Sequence, residues 1–144
     1  MRKDLVSDFS ANVMIASATY SADATPVAID MAGFEGCQIL IEVGAGGITF
    51  SGTNKIEFVL TESDDNSSYS NVAAGDVIHA PQAVSSGIVY SLTAAHASAT
   101  VVRLGYKGTK RYLKLLADFS GTHGTGTPLS AVALLGAPVT GPVA

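Results

Sequence analysis

The sequence predicts an all-β chain: an antiparallel β-sandwich, a jelly roll of about eight strands, with an N-terminal arm. Three observations carry that expectation. Apolar residues alternate with a period of two in several segments, the mark of half-buried antiparallel strands. Clusters of Gly, Asn, Asp and Pro separate those segments at short intervals. No segment shows a convincing long helical pattern. Many short strands without helices pack as two sheets or as a barrel. The 144 residues make one domain of ordinary size, able to bury a core without disulfides or metals.

Residues 1–20 read as an arm, and residues 21–144 as the single sandwich domain. Leu5, Phe9, Val13 and Ala16 would line one face of a short helix, whereas Phe9, Ala11, Val13 and Ile15 fit a strand. Leu5, Phe9, Val13 and Ile15 are too apolar for a free tail and too isolated to form a core of their own. They are therefore expected to reach a neighbouring molecule.

From Val27 onward strands follow one another. Val27, Ile29 and Met31 alternate with Ala28 and Asp30. In Cys37–Val43 the odd positions are apolar, and two of the three even positions are polar, Leu40 being the exception. Cys37 is in phase with Ile39 and Ile41, as a buried, inert thiol would be. In Lys55–Thr61, Ile56, Phe58 and Leu60 share a face. Shorter candidates lie at 77–79 and 88–92, followed by 101–106, 111–119 and 129–135. The last pair before the C-terminal strand, 101–106 and 111–119, is joined by a short turn and reads as a hairpin. Within it Leu113, Leu115, Ala117 and Phe119 should face the core, with Tyr112, Lys114, Leu116 and Asp118 outward.

Composition narrows the function. Ala, Gly, Ser and Thr supply 63 of the 144 residues, and charged residues only 14%. A soluble domain averages about 25% charged residues. Part of the surface is thus expected to be covered by other subunits or a partner, which predicts a homo-oligomer. No apolar run is long enough for a transmembrane helix. Asp4 and Asp8 interrupt what would be the apolar region of a signal peptide, so synthesis in a cytoplasm is expected. One cysteine excludes an intrachain disulfide framework and a multi-cysteine zinc site.

Candidate chemistry is sparse. The histidines, His79, His96 and His123, accompany no Gly-x-Ser-x-Gly element, so no catalytic residue is expected. Asp64-Asp65-Asn66 gathers oxygen ligands but lacks the spacing of a calcium loop, and an Asx-rich turn accounts for it. His123 lies in a Gly/Thr loop and reads as an exposed loop residue, since one histidine supplies a single metal ligand. The glycine cluster at 44–47 leads into a strand, not into the helix that a phosphate cradle needs. Neither a cofactor nor a metal is expected.

Charge distribution is more informative. Five of the eight basic residues fall within 103–114, and eleven of the twelve acidic residues precede that window. Lys107, Lys110, Arg111 and Lys114 therefore form a basic turn on an acidic body. It can meet an acidic neighbour, contact phosphates, or be a solvated surface whose charges pair with acids on adjacent strands. The net charge of −4 argues against nucleic acid.

Two stretches resemble small virion structural proteins of tailed bacteriophages. One is Glu57-Phe58-Val59-Leu60-Thr61-Glu62-Ser63-Asp64-Asp65-Asn66-Ser67-Ser68-Tyr69, similar to a strand followed by Ser-Asp-Asp-Gly-Ser-x-Trp. Here Asn66 stands in the glycine place, and Tyr69 in that of tryptophan. The other begins at Gly105-Tyr106-Lys107-Gly108-Thr109-Lys110-Arg111-Tyr112. It continues through the Gly/Thr loop at 121–128 to Ser130-Ala131-Val132 and Leu135-Gly136-Ala137-Pro138. With Ile29-Asp30-Met31-Ala32-Gly33-Phe34-Glu35-Gly36, the resemblance spans residues 25–140.

The resemblance implies a non-enzymatic head decoration, or cement, protein that binds the major capsid protein shell, with a trimer favoured. It implies location on the capsid surface of the virion, and in the host cytoplasm during assembly. A minor tail or head–tail junction component is the structural alternative. A carbohydrate-binding sandwich is a weaker one, because the chain has no Trp and few aromatic residues.

Overall fold

The computed structural model describes Asp4 and residues 6–140. Alternation builds the strands. Each places apolar side chains inward at every second residue: Ile39, Ile41 and Val43 in β3 (Phe34–Val43), Ile56, Phe58 and Leu60 in β4 (Lys55–Ser63). The others are β1 (Ser10–Tyr20), β2 (Ile29–Asp30), β5 (Ser70–Asn71), β6 (Val77–Ile78) and β7 (Ile88–Leu92). They are completed by β8 (Thr100–Tyr106), β9 (Tyr112–Ser120) and β10 (Thr127–Pro138). Single 3-10 turns stand at Val6–Asp8 and Ala74–Asp76.

Two antiparallel sheets of five strands face each other. The first, sheet A, runs β1-β10-β3-β8-β6, and the second, sheet B, runs β2-β9-β4 with both β5 and β7 on the far edge of β4. Set aside the two-residue β5 and β6, and eight strands remain. The first pairs with the last (β1·β10), the second with the seventh (β2·β9), the third with the sixth (β3·β8) and the fourth with the fifth (β4·β7). That nesting is the jelly roll. The core lies between the sheets, where Phe58, Ile39, Ile41, Leu60, Leu104, Leu113 and Leu115 are buried completely or nearly so.

The structure departs from the sequence reading in three places. Residues 10–20 are not an arm. They form β1, the edge strand of sheet A, registered on β10 from Ser10↔Leu135 to Tyr20↔Thr127. Register shifts on both sides of Ile15 let the consecutive Met14 and Ile15 both point into the core, which broke the alternation expected of a strand. Leu5 lies outside the described residues.

The segments 101–106 and 111–119 are not a hairpin either. β8 belongs to sheet A, between β3 and β6, and β9 to sheet B, between β2 and β4. Residues 107–111 cross from one sheet to the other, as do the connections between all consecutive strands of the eight except the fourth and fifth. The crossover is fixed from below. The Tyr106 hydroxyl donates to the buried Glu62 carboxylate at 2.6 Å and accepts from the Lys110 backbone N–H at 3.1 Å. Burial, and then this bond to Glu62, push the Tyr106 phenol well above its ordinary range.

His123, third, is buried rather than exposed. Its Nε2 donates to the Ser120 carbonyl at 2.8 Å, and Phe119 meets its ring edge-on at 4.8 Å between centroids. At the same end His96 bonds the Gly44 carbonyl at 2.7 Å, with Phe50 between the two imidazoles. These two histidines close one end of the sandwich.

Candidate functional site

Two of the four basic residues of the turn are paired with acids of the chain, and a third lies over an aromatic ring. Arg111 grips Asp30 in a two-pronged contact, Nε to Oδ1 and Nη2 to Oδ2 at 2.8 Å each, and its guanidinium lies 5.0 Å over the Tyr112 ring. That bond, above all, holds the Asp30 carboxyl down at about 2. Lys110 pairs with Asp64. Lys114 sits 4.1 Å over the Tyr69 ring. The turn at 64–66 has the Asx geometry expected of it: Asp65 Oδ1 accepts from the Ser67 and Ser68 N–H groups at 2.8 Å, and Asn66 takes the left-handed conformation at φ 58°. Three of the four basic residues singled out in the turn are thus tied to residues of sheet B or its loops. Lys107 alone is not, and its side chain makes no ion pair with a described residue.

The apolar residues singled out in the N-terminal segment divide. Ile15 is in the core, so it packs the sandwich instead of facing a neighbour. Phe9 and Val13 stay 43% and 53% exposed. Directly opposed residues in a sheet share a face, which places Val13 in one row with Val132 of β10, Leu40 of β3 and Arg103 of β8. The neighbouring row runs Ala11, Leu134, Gln38, Gly105 and Ile78. The outer face of sheet A therefore carries an apolar strip across all five strands, with Val101, 62% exposed, beside it. Sheet B presents a different surface, on which Lys55, Glu57, Lys114 and Asp118 are interspersed with Leu116 and Val59.

At one end of sheet A the strip is concave. A groove of about 520 Å³ lies over β10, β3 and β8, walled by Phe9 on one side and Ile78 on the other. Its floor is low because glycine occupies the outward positions. A Cβ at Gly136 would come within 2.7 Å of the Phe9 ring, and one at Gly105 within 2.8 Å of Ile78. Both apolar walls rest on backbone that a side chain would lift. Arg103 and Lys107 line the groove from β8, with Glu35 and His79 also at its margin. Beneath it Cys37 faces inward, where burial pushes the thiol up to about 12 and leaves it unreactive.

Leu40, Ile78, Val101, Arg103, Val132 and Leu134 escaped the sequence reading of the site. Leu40 left a signal, as the one apolar residue among the even positions of Cys37–Val43. The others needed the sheet order, which no local pattern contains.

No protein-family model matches the chain. No curated protein matches its sequence. Among solved structures, the crystal structure of the SPBc2 prophage-derived protein YomS matches with a TM-score of 0.51 over 89% of this chain and 92% of that one, at 12% identity. At that identity the similarity is one of fold: the two chains share the course of the sandwich over nearly their whole lengths.

Proposed function

We propose that the chain is a non-enzymatic head decoration, or cement, protein of a tailed bacteriophage. It binds the outer surface of the major capsid protein shell and stabilises the head. On this reading it is made in the host cytoplasm and ends on the virion surface as a homo-oligomer, three-fold order being what the family resemblance favours.

The observation that carries the reading is the outer face of sheet A. One broad side of a small sandwich leaves Phe9, Val13, Ile78 and Val101 exposed in one apolar strip, with Arg103, Lys107 and Glu42 around it. An apolar strip edged by polar groups is the anatomy of a protein contact. The fold shared with a prophage-derived protein supports a phage setting. The charge-free run from Phe9 to Ala22, which includes the whole of edge strand β1, supports contact with further copies.

The test adds purified chain to shells of the major capsid protein from the encoding phage, prepared without it. Saturable co-sedimentation at symmetry-related surface sites, with greater resistance of the shell to heat, is expected. Failure to bind, or occurrence only in the tail or at the head–tail junction, would contradict the proposal.

A further inference from the structure

We infer that the groove between Phe9 and Ile78 receives an extended segment of the shell protein that presents an apolar side chain beside an acidic one. The inference rests on the decoration reading and specifies which surface makes the contact.

Apolar chemistry comes first. Phe9 and Ile78 each pack over a glycine of the sheet, yet each remains 43% exposed, and both border the same groove. With a volume of about 520 Å³ the groove falls in the range of sites that enclose a ligand's surface. It crosses three strands. At about 4.8 Å between strands and about 3.3 Å per residue, an extended segment of three or four residues spans it.

The charge of the occupant follows from what the described residues leave unpaired. Lys110 and Arg111 stand close by in sequence and are matched by Asp64 and Asp30. Arg103 and Lys107 line the groove, and neither makes an ion pair with a described residue. The other lining residues with titratable side chains are Glu35, His79 and the inward-facing Cys37 and Tyr106, so among the lining residues two cations stand against one carboxylate, on a chain of net charge −4. That excess selects an acidic residue in the occupant, next to the side chain held between Phe9 and Ile78. A phosphate backbone would satisfy the cations and leave the apolar walls in water, so a polypeptide fits better than nucleic acid.

The experiment measures binding of full-length chain to the shells described above, at low and high salt. Three variants are compared with the native chain: Ile78→Asp, the double variant Arg103→Glu with Lys107→Glu, and Ser70→Glu on β5 of the other sheet. Melting curves establish that each is folded. The inference predicts that Ile78→Asp and the double variant each weaken shell binding by about tenfold or more. It also predicts that the double variant loses most of the salt dependence and that Ser70→Glu binds as the native chain does. If the native chain binds shells and both groove variants bind equally well, the groove inference is overturned and the decoration reading stands. If the native chain does not bind, both fall. Should the groove variants instead abolish self-association in sedimentation, or binding to naked DNA, while shell binding persists, the occupant is a second copy or nucleic acid and the inference is wrong.

Discussion

Tyr106 shows how much of this molecule rests on single side chains. Its hydroxyl satisfies a buried carboxylate from sheet B and a backbone N–H of the crossover at once. Tyr106→Phe keeps the ring and removes both bonds, leaving Glu62 without that donor in a nearly dry site. Stranding a buried polar group costs about 1–3 kcal/mol, so the variant should show a clear loss of stability in chemical denaturation. Glu62→Gln, which can still accept from the hydroxyl, should lose less. The Asp30–Arg111 contact makes a prediction in pH. The Asp30 carboxyl titrates at about 2 in the folded chain, below its ordinary value of 3.8. Its contribution is therefore complete above the ordinary carboxylate range and is lost as pH falls through about 2. A melting-temperature difference between the native chain and Asp30→Asn should be present at neutral pH, shrink as pH falls from the ordinary carboxylate range, and vanish below about pH 2. A difference that persists undiminished in acid would show that the ion pair is not its source.

Strands show where local sequence suffices and where it does not. β3, β4, β9 and β10 were legible because each keeps a period of two, and a buried period-two strand has few alternatives. Asn66, which stands in a glycine place of the sequence pattern, takes the left-handed conformation that such a place favours. β1 was not legible, since Met14 and Ile15 are consecutive and both inward, and the partner that permits this, β10, lies at the other end of the chain. The crossover at 107–111 has the length of a hairpin turn, and only the partners of β8 and β9 reveal that it changes sheets. Which acids pair with the basic turn was not legible, because Asp64 and Asp30 are 46 and 81 residues away along the chain. Deleting residues 1–20 tests the revised boundary. It removes the buried Met14 and Ile15 and uncovers the inward residues of β10. Burial of one such side chain is worth about 1.5–3 kcal/mol, which is a large share of the stability of a domain. The shortened chain should therefore lose cooperative thermal unfolding. A truncated chain that melts like the native one would restore the arm.

On the scale of the whole molecule, the two sheets divide the labour. Sheet B and its loops pair Lys110 and Arg111 of the basic turn, and the outer face of sheet A leaves apolar side chains exposed beside Arg103 and Lys107, which make no ion pair with a described residue. A chain with 14% charged residues has little else with which to cover that face. The fold places the groove, the strip and the edge strand β1 on one sheet, so a single docking pose can use all of them. The most direct measurement is a cryo-EM reconstruction of the phage head carrying the chain. The account predicts the ten-stranded sandwich on the outside of the shell, with Val13, Leu40 and Ile78 turned toward the capsid protein. A sandwich seated through the outer face of sheet B, or density for the chain only in the tail, would contradict it.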